Sequence, residues 1–348
     1  MSNLNLAQRL ARPELLDLEP YQSARRIGGR GDIWINANES PFNRTELARL
    51  NRYPECQPPE LIAAYSKYSN VPAANIVCGR GADEAIELLI RAFCIPGRDS
   101  IAIFGPTYGM YSISAKTFNV GVNALNLSED YQLPSDISGV KGCKLVFICN
   151  PNNPTGTVLS VERIEQVLQQ LPDQLVVVDE AYIEFCPENS VAKLLESYPN
   201  LVILRTLSKA FALAGARCGF LMASTDIIDI IMLVIAPYPV PLPVSTLAVQ
   251  ALSDDGITNM LADVALLKAQ GQRLAATLTD LGAKVVPSGA NFLLVYFDDI
   301  AKISNGLKDA GIVARAYRDP RLVDAIRFSF TNERETDQII TVLQQLLA

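Results

Sequence analysis

Seven short apolar runs, rich in β-branched residues, dominate the chain between Asn75 and Ala223 and limit what it can fold into. They are NIVCG from Asn75, SIAIF from Ser100, VGVNALNL from Val120, KLVFIC from Lys144, LVVVD from Leu175, LVILRT from Leu201 and CGFLMA from Cys218. They do not alternate strictly between apolar and polar residues. Strands buried on both faces read this way, because neither face meets water. Helical patterns lie between several of them. ADEAIELLIRAFC and SVERIEQVLQQL each combine an acidic first turn with apolar residues at i, i+3 and i+4. The expectation is an α/β fold whose large domain holds a seven-stranded, mostly parallel sheet.

Prolines at 237, 239, 241 and 243 fix extended backbone and mark a change of architecture. A long helical region follows to about Leu281, with a break expected near Gly256. Strands and helices then alternate more loosely: AKVVP, NFLLVYF, ISNGLKDAG, IVARAY, AIRFSF and ETDQIITVLQQLL. These features define an N-terminal arm (1–32), a large α/β domain (33–243) and a smaller α+β domain (244–348). The arm carries a weak helical pattern and is expected to pack on the small domain or on a partner. There is no internal repeat.

At 348 residues the chain needs no disulfide or metal staple for its core. Its net charge of -7 disfavours nucleic acid and anionic membranes as partners. An anionic substrate must then be captured by local arginines. Seven cysteines without a CxxC pair suit a reducing cytoplasm. Ile227 to Ala236, the most apolar stretch, is interrupted by Asp229, is too short to span a bilayer and reads as a buried helix. The composition contains no histidine. That excludes imidazole bases, Ser-His-Asp and Cys-His chemistry and histidine metal ligands, and no metal site is expected.

In open α/β sheets, ligands bind beyond the carboxyl ends of the strands. Three strands deliver polar residues there: KLVFIC leads to Asn153 in NPNNPTG, LVVVD ends at Asp179, and LVILRT leads to Lys209. An amide, a carboxylate and an amine, without histidine or metal, suit pyridoxal phosphate. The amine forms a Schiff base, and the carboxylate keeps the pyridine nitrogen protonated so that the ring accepts electrons. An amide and a phenol hydrogen-bond the ring hydroxyl. Ala82, at the helix start in GRGADE, with Ser208 and Arg217, suits the phosphate. Taken singly, each signal has a plainer reading: a solvated lysine, a helix-capping aspartate, a proline-fixed turn, a packed Tyr108, surface arginines at 217 and 327. Their joint placement at one sheet edge favours the cofactor.

The motifs SKAFALAGARCGF, VVVDEAY and NPNNPTG resemble the fold-type I pyridoxal phosphate aminotransferases. PYQSARR, NRYPECQP, RGADEAIELLIRAFC, PTYGMYSISA, DEAYIEFCPE and LRTLSKAFALAG resemble, more narrowly, the histidinol-phosphate aminotransferase family. The resemblance covers nearly the whole chain. It implies Lys209 as Schiff-base lysine and proton shuttle, and Asp179 at the pyridine nitrogen. Asn153 and Tyr182 would contact the ring hydroxyl, and Tyr108 would stack on the ring. Ala82, Asp83, Ser208 and Arg217 would surround the phosphate. Tyr53 would reach a partner's site in a homodimer, and Tyr21 and Arg327 would face substrate. The implied reaction transfers the amino group of L-histidinol phosphate to 2-oxoglutarate in histidine biosynthesis. An aromatic amino acid aminotransferase and an amino-acid-phosphate decarboxylase are the alternatives on this scaffold. A cofactor-binding transcription regulator would need a basic DNA-binding segment, which this acidic chain lacks. A Rossmann dehydrogenase would need a third glycine that GRGADE lacks. The chain departs from the family at Thr331, where glycine is usual, and a second arginine is displaced to Arg334.

Overall fold

The computed structural model describes residues 4–28 and 32–347. The chain opens with α1 (Leu6–Leu10), α2 (Ala24–Ile27) and α3 (Pro59–Ser69). A sheet-forming region follows: β1 (Ile76–Gly79), α4 (Ala82–Phe93), β2 (Ser100–Gly105), α5 (Met110–Thr117), β3 (Gly121–Asn126), β4 (Leu145–Cys149), α6 (Val161–Gln170), β5 (Leu175–Asp179), β6 (Leu201–Thr206), β7 (Gly219–Ala223) and α7 (Thr225–Val234). Two helices, α8 (Leu242–Ala251) and α9 (Asp254–Asp280), lead to β8 (Lys284–Val285), β9 (Phe292–Tyr296), α10 (Ile300–Asp309), β10 (Arg315–Ala316), β11 (Ala325–Ser329) and α11 (Glu333–Leu347).

All seven expected strands pair into one sheet, in the order β1-β7-β6-β5-β4-β2-β3. Only β7 runs against its neighbours. The apolar runs are continuous because alternate residues serve two separate cores. Val146, Ile148, Val176, Val178 and Ile203 pack on one face. Leu145, Phe147, Val177, Val202 and Leu204 pack on the other, beneath α4 and α7. Burying each such side chain contributes about 1.5–3 kcal/mol. Strand β3 departs from this pattern, because it lies at the sheet edge and is half-exposed along its length.

Helix starts follow the local capping chemistry. Ser160 accepts a hydrogen bond from Arg163 N and opens α6. The break in the long helical region falls at Leu252–Ser253, not at Gly256. Ser253 caps α9 by accepting from Gly256 N at 3.1 Å. Gly256 then sits in the first turn, where a Cβ would lie 2.4 Å from Ala251 O.

Helix α9 bridges two cores: Met260 and Val264 pack with the large sheet, while Leu274 and Leu278 pack with the small one. The small sheet is antiparallel, in the order β10-β11-β9-β8. Of the expected strand IVARAY, only Arg315 and Ala316 pair. Residues of β9 and β11 alternate faces. Leu293, Val295, Ile326 and Phe328 turn toward a core shared with α9, α10 and α11. Phe292, Leu294 and Arg327 turn the other way, toward the large sheet. The expectation for the arm is corrected at its start: Ala7, Leu10, Ala11 and Leu15 pack into the large-sheet core beside α4 and α7, not on the small domain. That core offers an apolar seat for the amphipathic α1.

A charged group lies within the first core. Glu180 and Arg205 are buried, with a 2.7 Å ion pair between them. Glu184, also buried, has one carboxylate oxygen without a partner among the described residues and another 3.4 Å from the Tyr68 hydroxyl. Burial pushes its carboxyl from an ordinary 4.5 to about 7, against the pull of Arg205. A carboxyl that holds its proton more tightly folded than unfolded costs stability as pH rises through that window. Glu184→Gln removes this cost, so its stability relative to the parent should rise between pH 4 and pH 8, on the order of 2–3 kcal/mol. Urea midpoints at the two pH values measure it; a difference that ignores pH would show that another group titrates.

Candidate active site

Strands β4, β5 and β6 end side by side, with Cys149 in register with Asp179 and Asp179 with Leu204. Their ends open into a cavity of about 640 Å³, roofed by the small sheet and its loops. Ten of the expected site residues line it: Ala82, Asp83, Tyr108, Asn153, Asp179, Tyr182, Ser208, Lys209, Arg217 and Arg327. The remaining two do not. Tyr21 is exposed, and Tyr53 lies half-exposed outside the cavity, stacked on Tyr238 at 4.3 Å.

Asp179 terminates β5 at 2% exposure. Its Oδ2 accepts from the Tyr111 hydroxyl at 2.6 Å, and its Oδ1 accepts from Ala181 N at 3.1 Å. Burial pushes its carboxyl up to about 6; those two hydrogen bonds oppose the rise. Tyr111 is itself buried, stacked on Phe147 at 4.8 Å, which fixes where its hydroxyl points. Tyr108, one turn earlier, packs edge-on to Tyr111 and donates to Asp83 Oδ1 at 2.9 Å.

Lys209 follows β6 and is half-buried, its Nζ 5.5 Å from the centre of the Tyr182 ring. Burial lowers its pKa, and the nearby Arg327 cation lowers it further. Asp179 pulls the other way. The outcome is an amine with a larger neutral fraction than a solvated lysine, as a base or nucleophile requires. Asn153 donates to the Tyr182 oxygen at 3.2 Å and accepts from Arg327 Nη1 at 2.6 Å.

At the far end of the cavity α4 begins without a side-chain cap. Arg217 reaches it from a left-handed backbone position (φ 55), a conformation rare outside glycine. Its Nη1 donates to Ser208 Oγ at 3.3 Å, and its Nη2 lies 3.2 Å from Asp83 Oδ2. Gly81 makes this approach possible: a Cβ there would lie 2.8 Å from Arg217 Nη2. Gly219 likewise admits the helix start, since its Cβ would lie 2.6 Å from Ala82 N. A guanidinium, a hydroxyl and a helix N-terminus thus converge, a donor set suited to phosphate.

The opposite wall carries two arginines. Arg327 on β11 is in register with Arg315 on β10, and both line the cavity. Arg327 packs 5.0 Å from the centre of the Phe292 ring, and its buried Nε has no partner among the described residues. Arg315 lies in the expected strand IVARAY but was not singled out, because its place beside Arg327 depends on the register between β10 and β11. Arg334, the displaced second arginine, lies in α11 and does not line the cavity. Tyr111 was also missed, although its spacing of three from Tyr108 in a helix start signals a shared face.

Comparison with known proteins shows the family. The family model for aminotransferase class I and II matches residues 32–343. A histidinol-phosphate aminotransferase of Shewanella oneidensis is 66% identical, the match covering 99% of this chain and 90% of that protein. One from Shewanella amazonensis is 62% identical, covering 98% and 96%. Among solved structures, the histidinol-phosphate aminotransferase from Clostridium acetobutylicum superposes with a TM-score of 0.79 at 27% identity, covering 86% of this chain and 91% of that one. The enzyme from Sinorhizobium meliloti, solved with pyridoxal-5'-phosphate, shares the fold with a TM-score of 0.76 at 23% identity, covering 85% and 83%. The chain belongs to the class I and II aminotransferases, within the histidinol-phosphate aminotransferase family.

Proposed function

We propose that this protein is a pyridoxal-phosphate-dependent aminotransferase that moves the amino group of L-histidinol phosphate to 2-oxoglutarate, in histidine biosynthesis. The observation that carries the reading is one cavity holding an amine of lowered pKa and a buried carboxylate, faced by two arginines. The relatives' names supply the substrate.

The residues fit the cofactor. Lys209 offers the amine for covalent attachment, and Asp179 the carboxylate for the ring nitrogen. Asn153 and Tyr182 offer polar groups for the ring hydroxyl, and Tyr108 an aromatic face. Ala82, Asp83, Ser208 and Arg217 surround the place for the phosphate. The bound group supplies an electron sink for the pair left when a proton leaves the amine-bearing carbon. Lys209 Nζ takes that proton, because its neutral form is accessible. Tyr111 holds the Asp179 carboxylate in place. Arg327 and Arg315 take the anionic end of either substrate, since the guanidinium fork binds phosphate and carboxylate alike.

The protein works as a homodimer in this reading. Ile33, Ile35 and Phe42 are 86%, 88% and 64% exposed, and a second copy would cover them. Tyr53, outside its own cavity on the same segment, would then complete the partner's site, with Tyr21 near substrate. The seven cysteines are buried and unpaired, which fits a cytoplasmic location. No described helix is long and apolar enough to cross a membrane.

The absorbance of the cofactor-loaded protein tests the reading directly. L-histidinol phosphate, added without a keto acid, should convert the visible band to a near-ultraviolet band in one stoichiometric turnover. A band that persists, or carbon dioxide release, would replace the substrate assignment. Lys209→Ala should lose turnover by at least about four orders of magnitude while keeping its circular dichroism. Arg327→Met should raise KM for both substrates about tenfold or more. It also removes a cation that lowers the Lys209 pKa, so the rising limb of the pH–rate profile should move to higher pH. An unmoved limb would separate Arg327 from the base.

A further inference from the structure

The segment between β10 and β11 lines the cavity with Tyr317, Asp319 and Leu322. Little of its own structure holds it there. β10 pairs over two residues, and Arg318, Asp319 and Pro320 are exposed. Leu322 alone is buried, at 1%.

Arg321 stands out in this segment. Its Nη1 donates to Gly105 O at 3.1 Å and Leu127 O at 2.9 Å, and its Nη2 donates to Ser128 O at 2.8 Å. All three acceptors belong to the far domain, at the carboxyl ends of β2 and β3. The guanidinium also lies 5.3 Å from the centre of the Tyr131 ring. The Arg321 carbonyl accepts from the Tyr296 hydroxyl at 2.8 Å, and that hydroxyl meets the Tyr131 hydroxyl. The Arg321 N–H donates to Asp319 Oδ1 at 2.9 Å, closing the turn. Gly105 also begins the loop that carries Tyr108. One side chain therefore ties the substrate-facing loop of the small domain to the loop beneath the cofactor place.

We infer that Arg321 is a positioning residue: an interdomain clasp that sets the 317–322 loop, and the adjoining Arg315, at the distance from Lys209 that substrate binding requires. It touches neither substrate nor cofactor. A planar fork suits the task, since it reaches several carbonyls at once, where a lysine reaches fewer from a single point. Loops with few buried contacts open at low free energy, and the clasp opposes that opening. The kinetic part of the inference rests on the reaction proposed above; the structural part does not.

The test uses full-length Arg321→Met and Arg321→Lys. Amide hydrogen exchange is followed on the unloaded protein, and kinetics and cofactor affinity on the loaded one. In Arg321→Met, exchange across 312–324 should accelerate about tenfold. KM for both substrates should rise about tenfold, with kcat and cofactor affinity within about twofold of the parent, and Arg321→Lys should fall between. Unchanged exchange across 312–324 would overturn the clasp, whatever the substrate proves to be. Faster exchange with unchanged KM would overturn the positioning role. Equal weakening of cofactor and substrates would reduce Arg321 to general support of the fold. Failure of the histidinol phosphate assignment would appear separately, as absent turnover in the parent with the exchange result intact.

Discussion

A parallel sheet sealed on both faces leaves its polar side chains with few places to go other than the strand ends. Every residue of β4, β5 and β6 is buried, so an unpaired polar group within them would pay a desolvation cost. Arg205 meets this constraint by pairing with Glu180. Asp179 meets it by sitting at the last position of β5, where Tyr111 and Ala181 N supply donors. Asn153 and Lys209 escape into loops past the same edge. The site is therefore a consequence of the core: the strands that exclude polar groups along their length deliver them together at one end.

The small sheet solves a different problem. It is antiparallel and covered by helices on one face, so its strands alternate. In AIRFSF, Ile326 and Phe328 enter the helical core, and Arg327 is turned toward the large sheet. Register then brings Arg315 beside Arg327. Two guanidinium groups on one wall make a local cationic surface on a chain whose net charge is -7. The charge of Arg327 also reaches Lys209, where it adds to burial in favouring the neutral amine. Arg327 therefore both adds to the cationic wall and lowers the pKa of the amine it faces.

Opposed shifts across the cavity follow from burial. It raises Asp179 and lowers Lys209, in each case against the charged form. Nearby opposite charges and hydrogen bonds limit both shifts without cancelling them.

The seven runs, their two-sided burial and the polar residues at their ends were legible in the sequence, because each depends on spacing within a few residues. The helix start at Ala82, with Gly81 before it, was legible for the same reason. Arg315 and Arg321 were not. Their places depend on β10 pairing with β11, and on the loop between those strands meeting carbonyls nearly 200 positions away in the chain. The seat of α1 on the large-sheet core was also unreadable, since an amphipathic helix specifies an apolar surface without specifying which one. The sequence by itself determined which polar residues leave the sheet and which strand ends carry them, because periodicity and chain order are local properties. Tertiary structure alone decided how far apart they stand, which arginines share the cavity with Lys209 and which carbonyls Arg321 meets, because those distances arise from packing between distant segments.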